Sequence, residues 1–262
     1  MTGEIARLDL RLRRRLIIGY AIGMTAYAAV VVALYPSFKN ATSLNSLTEE
    51  GSPVAALFGA VGPLTSSPGW LTANLYGNFV PLIVLMATIG YGAAAIAGQD
   101  EDGTLALIAT LPLARRTITG GKLAALVVQA LPVPIVTALC VLAGRWFDLT
   151  VNIGSLLGVT AGVTLLGLLF GSLALFLGAA TGSRGVALGL ASGMAAIAYL
   201  VNSLAPLIDW LRPARYASPF FYAVGDHQLQ NGLPPAWAGV LAVATLAFAV
   251  AGTIAFNRLD VH

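Results

Sequence analysis

Three acids, Asp100, Glu101 and Asp102, and three bases, Arg115, Arg116 and Lys122, bracket a short apolar segment at 104–111 that Pro112 stops. Acids before a helix and bases after it complement the helix macrodipole, and Leu105, Ile108 and Ala109 at helical spacing give the segment one apolar face. A helix this short has no core of its own to cover, so the chemistry it offers is docking. Other chemistries fail on their residues. Gly121-Lys122 suggests a phosphate loop, but Arg116 stands where its first glycine belongs and Leu123 where Ser or Thr would hold magnesium. The run Gly189-Leu190-Ala191-Ser192-Gly193 matches a serine-nucleophile motif only loosely, and both histidines, His227 and His262, lie outside the apolar runs, so Ser192 reads as a small packing residue. Cys140 is the single cysteine, which leaves neither a disulfide nor a cysteine-based metal site.

The elements that position this loop are set by composition. The chain is 58% hydrophobic and 10% charged, against about 25% charged in soluble domains, and its mean hydropathy is +0.84. Six uncharged apolar runs, 16–35, 79–98, 123–143, 156–180, 186–208 and 237–256, each reach the roughly 20 helical residues that cross a bilayer. They are continuous rather than alternating, which excludes a β-barrel and leaves helices to satisfy the backbone in lipid. The predicted fold is therefore an all-α polytopic membrane protein, a single transmembrane domain over 1–262. Because no ionisable residue falls inside any predicted span, ion coupling is disfavoured, although a backbone-carbonyl sodium site would escape that reasoning.

A net charge of +3 could suggest nucleic acid, but the bases are sorted by membrane side rather than laid in a stripe. With the N-terminus inside, Arg7, Arg11, Arg13, Arg14, Arg15, Arg115, Arg116, Lys122, Arg184 and Arg258 are cytoplasmic, against Lys39, Arg145, Arg212 and Arg215 outside. Six spans return the C-terminus to the cytoplasm. Trp70, Trp146, Trp210 and Trp237 all fall at the outer boundary, as interfacial aromatics do. The first apolar run is longer than a secretory h-region and lacks a small-residue cleavage site, so it reads as a retained span. Twelve arginines among fourteen bases, with abundant Ala, Gly, Leu and Val, suggest a GC-rich bacterial source.

Four further segments carry patterns. Residues 1–15 place Ile5, Leu8, Leu12 and Leu16 on one helical face, with Glu4, Arg7, Arg11, Arg14 and Arg15 mostly opposite, the pattern of an interfacial helix that anchors topology and meets anionic lipid. Residues 36–77 form an outer loop whose 11-residue apolar patch at 54–64 is too short to span, and whose Asn40-Ala41-Thr42 sequon reads as an ordinary turn. Glycines 154, 158, 162, 167 and 171 in the fourth run and 185, 189 and 193 in the fifth form ladders that serve packing either between these two spans or against another subunit. Residues 209–235, rich in aromatic and charged side chains, read either as a packed outer loop or as short helices dipping into the outer leaflet.

Taken together, the acid, Gly103-Thr104-Leu105, a Leu-rich turn, Pro112, paired arginines and Lys122 resemble the first cytoplasmic loop of ABC-2 type exporter permeases. The Arg-rich lead-in, the six spans and Ser218-Pro219-Phe220-Phe221-Tyr222 before the last span extend the resemblance over nearly the whole chain. It implies a non-catalytic transmembrane subunit in a bacterial plasma membrane that works with a second permease and two separate ATPase subunits, which hold the ATP and magnesium. The resemblance makes 99–122 a coupling loop seated in the ATPase, with Asp100, Glu101, Gly103, Thr104, Leu105, Ile108, Pro112, Arg115 and Arg116 as contacts. It makes 1–15 an elbow helix with Arg11, Arg14 and Arg15 near the motor, and 209–235 a re-entrant exit gate. It places the first and fifth spans at the permease interface, where Gly19 and Gly23 would meet Gly185, Gly189 and Gly193. A path between permeases would draw on Tyr20, Met24, Tyr27, Phe79, Met86, Tyr91, Met194, Tyr199 and Asn202, each of which also suits plain packing. An apolar wall suggests a hydrophobic or amphipathic cargo such as a drug, antibiotic or lipid. The competing class is a self-contained ion-coupled carrier, a further one a non-transporting assembly protein.

The distribution of bases predicts the orientation directly. In a Cys140→Ala background, an impermeant thiol reagent applied to intact cells labels a cysteine at Ser43 and spares one at Thr110; labelling at 110 would reverse the topology.

Overall fold

The computed structural model describes residues 2–40, 63–104, 114–225 and 227–258. Among them there is helix and no strand, and six helical segments are long and apolar enough to cross a membrane. The first, α1, runs Thr2–Phe38 without a break. At 1.5 Å per residue its 37 residues extend about 56 Å, longer than a hydrocarbon core of about 30 Å, and the arginine-bearing turns continue in line with the apolar run. A short helix, α2 (Ser67–Leu71), then leads through a π turn at Thr72–Tyr76 into α3 (Phe79–Ala93), a second π turn (Ala94–Gly98) and a last helical turn at Gln99–Glu101.

After the charged loop, α4 (Arg115–Ala130) and α5 (Pro132–Ala143) form one span. Pro132 and Pro134 lack the N–H groups that would continue the α4 ladder, which explains the break at Leu131. The central helix is α6 (Ile153–Thr181), started by Asn152, whose Oδ1 accepts from Gly154 N at 2.8 Å and Ser155 N at 3.3 Å, and ended by Gly182 at φ 64°. Next come α7 (Arg184–Leu204), a 3₁₀ stretch at Asp209–Ala217, two short helices, α8 (Pro219–Val224) and α9 (Gln228–Asn231), and the last span, α10 (Pro235–Arg258).

Helix α6 packs against α3, α4, α5, α7, α8, α9 and α10, and its small residues make this possible. A Cβ at Gly162 would collide with the Ala223 carbonyl, and one at Gly92 of α3 with the Gly171 carbonyl, so backbone meets backbone at both crossings. The first glycine ladder is thus consumed within the chain. By contrast, only Ala187, Ala191, Ala195 and Ser203 of α7 are buried, and nothing lies within 4 Å of where a Cβ would sit at Gly189 or Gly193.

Between Ala205 and Pro235 the chain folds back onto the bundle. Phe220 packs on Phe170 and Tyr199, Phe221 on Trp237, and Ser155 Oγ donates to Gln230 O at 3.1 Å. At the same end of the bundle Trp70 Nε1 donates to Val31 O at 3.0 Å, and Lys39 Nζ reaches Asp148 Oδ2 at 2.7 Å, which holds that exposed carboxyl below its usual range. Trp146 and Trp210 are exposed. The patch at 54–64 lies outside the described residues except for Pro63 and Leu64.

The apolar face read from the sequence is split in the structure. Leu8, Leu12 and Leu16 are exposed, Leu12 at 72%, while Ile5, Ala6 and Asp9 face the bundle. No glycine or proline occurs between Gly3 and Gly19 to hinge the helix into the membrane plane, so α1 continues straight and its leucines face outward. In lipid an outward leucine costs nothing, which removes the usual force that turns such a face inward.

The two ladders differ in a measurable way. Gly162→Ala lowers the thermal stability of the purified chain by about 1–3 kcal/mol through overpacking, whereas Gly189→Ala leaves it unchanged or higher, because alanine exceeds glycine in helix propensity by about 1 kcal/mol. Equal effects in a circular-dichroism melt would contradict this division.

Candidate functional site at the roots of the charged loop

The charged loop leaves the bundle at Gln99 and re-enters at Arg115, and both roots are tied down by polar contacts. Lys122, about two turns inside α4, is fully buried, and its Nζ lies 2.9 Å from Asp9 Oδ1 on α1. Gln99 completes the arrangement: its Oε1 accepts from Lys122 Nζ at 2.7 Å and its Nε2 donates to Asp9 Oδ1 at 3.3 Å. Tyr91 Oη donates to Asp9 Oδ2 at 2.7 Å and also lies 3.1 Å from the Lys122 carbonyl oxygen. Arg13, one turn beyond Asp9, stacks 5.1 Å over the Tyr91 ring. Four residues from three helices thus saturate one buried ion pair.

Local sequence explains how they meet. Ile5, Ala6 and Asp9 share the face of α1 that packs on Tyr91, Ala95, Ile96 and Ile118. The π turn at Ala94–Gly98 shifts the helical register just before Gln99, a common device beside functional residues. Glu101 Oε1 accepts from Arg184 N at 2.8 Å, placing a carboxylate on the N-terminus of α7. Arg115 Nη1 donates to Phe256 O at 2.8 Å and Asn257 O at 3.3 Å, capping the last carbonyls of α10. The two roots of one loop therefore hold α1, α7 and α10 together.

The expected contact residues divide accordingly. Asp102, Gly103, Thr104 and Arg116 are exposed, Asp100 is half-buried, and Glu101 and Arg115 are engaged within the chain. Gly103 has φ 68°, the left-handed conformation glycine takes readily as the chain turns into the loop. Leu105, Ile108 and Pro112 lie outside the described residues. Arg11, Arg14 and Arg15 are exposed along α1. Lys122, read from sequence as a cytoplasmic base, is buried against Asp9; both residues lie outside the predicted spans 16–35 and 123–143, so the pair sits at the ends of those runs rather than within them. Sequence reasoning missed Asp9 because an acid four residues before Arg13 reads as a surface pair; its place on the Ile5–Ala6 face was the available clue.

The remaining candidates sort by exposure. Gly19, Gly23, Gly189 and Gly193 have open space beside them and Gly185 nothing closer than Ser183 Oγ at 4.0 Å. Phe79, Met86 and Met194 are exposed, while Met24 is core and Tyr91 belongs to the polar cluster, so neither presents a wall. Tyr20 is half-buried. Tyr27 donates to Asn74 O at 3.1 Å and packs 4.7 Å from Phe79. Tyr199 donates to Asn78 Oδ1, and Asn202 is half-buried nearby.

Six membrane helices with a charged loop rooted in their ends match a known pattern: a sequence model described as ABC-2 family transporter protein covers residues 4–261. The chain belongs to the ABC-2 transporter family. No curated protein matches it. As an ABC-2 family membrane protein it is a multi-pass transmembrane subunit, and membership implies partnership with ATPase subunits.

The ion pair at the loop roots has a definite energetic signature. Asp9→Asn or Lys122→Met alone destabilises the chain by about 3–5 kcal/mol, because an uncompensated charge stays buried. The double variant Asp9→Leu with Lys122→Met recovers most of that loss in thermal unfolding; additive losses would show that the two residues do not act as a pair.

Proposed function

We propose that this chain is the permease subunit of an ATP-driven exporter, paired with a second permease, identical or homologous, and two ATPase subunits that hold ATP and magnesium. The observation that carries the proposal is the rooting of the loop: Gln99 and Lys122 on α1, Glu101 on α7 and Arg115 on α10 join one cytoplasmic segment to three spans. A displacement of the 104–111 segment by an ATPase then moves α1 and α7 together. These two helices carry the open glycines Gly19, Gly23, Gly185, Gly189 and Gly193, which fit a close permease interface. Phe79, Met86 and Met194 beside them support a hydrophobic or amphipathic cargo moved outward across a bacterial plasma membrane, with both termini cytoplasmic and 209–235 gating the exit.

An ion-coupled carrier is the second possibility, favoured by one observation, the ionisable pair Asp9–Lys122. Gln99 and Tyr91 each hydrogen-bond to that pair, and Lys122 is directly paired with Asp9, which supports an anchor rather than an ion site. In inverted vesicles, export depends on ATP and the partner ATPase and survives collapse of the proton and sodium gradients; the opposite dependence would establish the carrier.

Leu105→Asp tests the docking helix. Burying such a side chain contributes about 1.5–3 kcal/mol, and a carboxylate in an apolar socket adds a desolvation cost. Coupling between sites is itself typically about 1–3 kcal/mol, so this change abolishes ATPase association and export while insertion stays normal. Thr150→Asp, exposed at the other end of the bundle, serves as the control. Normal export by the Leu105 variant would refute the assignment.

A further inference from the structure

Between α1 and α4 lies a shallow groove of 420 Å³ whose two ends differ in chemistry. One end is lined by Arg7, Arg11 and Arg14, spaced so that they stack along one face of α1. Its floor and other end are Leu10, Ile17, Ile18 and Val128. From Arg7 to Ile18 the groove follows eleven residues of helix, about 16 Å, passing from the stems of three exposed arginines, whose charged heads lie at its rim, to the apolar surface of the span. Glu4 pairs with Arg7 at 3.3 Å, but both side chains are exposed, so the pair yields readily to a competing anion. Arg11 and Arg14 have no ion-pair partner among the described residues.

We propose that this groove is a binding site for an anionic phospholipid, its headgroup phosphate held by Arg7, Arg11 and Arg14 and one acyl chain laid along Leu10, Ile17, Ile18 and Val128. Three features select a lipid over a protein partner. The charge is of one sign, which a single phosphodiester complements, and arginine offers paired donors in the geometry phosphate oxygens accept. The apolar end coincides with the start of the membrane-spanning run, a depth that an acidic loop of a soluble subunit does not reach but an acyl chain occupies by default. Leu131 and Ile135, exposed further along the same span, extend the apolar surface in the direction such a chain would take. Basic pockets between helices on the cytoplasmic side are a general means of recognising acidic headgroups. The site depends on the chain spanning a membrane and not on the exporter assignment. Bound there, the lipid bridges α1 to α4, the two helices that also share the Asp9–Lys122 pair.

The test uses the full-length chain, purified in detergent and titrated with dioleoyl-phosphatidylglycerol or dioleoyl-phosphatidylcholine under native mass spectrometry. Phosphatidylglycerol adducts form at about tenfold lower lipid concentration than phosphatidylcholine adducts, and Arg11→Gln with Arg14→Gln removes that preference. The Arg11→Lys, Arg14→Lys variant keeps a preference for the anionic lipid, and Arg116→Gln, an exposed base outside the groove, behaves as the unaltered chain. Val128→Trp fills the floor without changing charge and weakens phosphatidylglycerol retention, which provides an independent reading should the glutamine variant fail to fold. Glycerol 3-phosphate at millimolar concentration does not displace the lipid. Equal affinity for the two lipids, or an undiminished preference in the glutamine and Val128 variants, would overturn the site. So would full lipid retention in the glutamine variant combined with lost ATPase association, which would assign the arginines to the protein partner instead.

Discussion

The Asp9–Lys122 pair is the constraint around which the loop-bearing end of this bundle is organised. Removing two charges from water costs several kcal/mol each, and their attraction offsets that cost only when the geometry is good and the other hydrogen-bonding positions are filled. Here Gln99 and Tyr91 fill them, so four side chains from α1, α3 and the α3–α4 loop's far root must arrive together. Sliding α1 by one turn, about 5.4 Å, would separate the charges and strand both in an apolar interior, so the pair fixes the register of α1 against its neighbours. An apolar contact would not have that consequence, since leucine packs nearly as well one turn away.

From this constraint follows the continuity of α1. An interfacial helix lying flat on the membrane could not present Asp9 to Lys122 inside the bundle. The first turns therefore stand in line with the span, Ile5 and Ala6 join the core around Ile96 and Ile118, and the leucines are left for lipid. The arginines follow from the same rotation. Arg13 turns inward over Tyr91, while Arg7, Arg11 and Arg14 are displayed along the groove toward α4. Anchoring, lipid contact and attachment of the loop are thus consequences of one helical orientation.

Glycine divides the rest of the molecule. On α6 and α3 it permits backbone crossings at Gly162 and Gly92 that any Cβ would prevent, and these crossings bring α3, α8 and α6 into one layer. On α1 and α7 it leaves open surface. The bundle is consequently tight around α6 and open along α7, of which a single stripe of alanines is buried. A membrane protein gains little by hiding apolar side chains from lipid, so which face of α7 is buried depends on shape: the alanine stripe packs inward and the glycine-bearing face is left free for close approach.

Composition and the length of the apolar runs settle the solvent, the number of candidate spans and the class of fold, because a bilayer demands about 20 uncharged helical residues per crossing and leaves no other way to satisfy the backbone. The helices run along these apolar stretches: the 79–98 run ends where the π turn ends at Gly98, and the 156–180 run sits inside Ile153–Thr181. The sequence also carried the resemblance in the 99–122 loop that family membership bears out for the chain as a whole. Only the tertiary structure decided which faces turn inward. Hydrophobic periodicity, which separates inside from outside in water, loses that meaning when the outside is lipid, so the pattern did not separate Ile5, which is buried, from Leu8, Leu12 and Leu16, which are exposed. The Asp9–Lys122 pair was equally hidden, since 113 residues separate its members and each alone reads as an ordinary charge at the edge of an apolar run. Charges so placed acquire a partner only when helices pack, and packing is a property of shape in three dimensions.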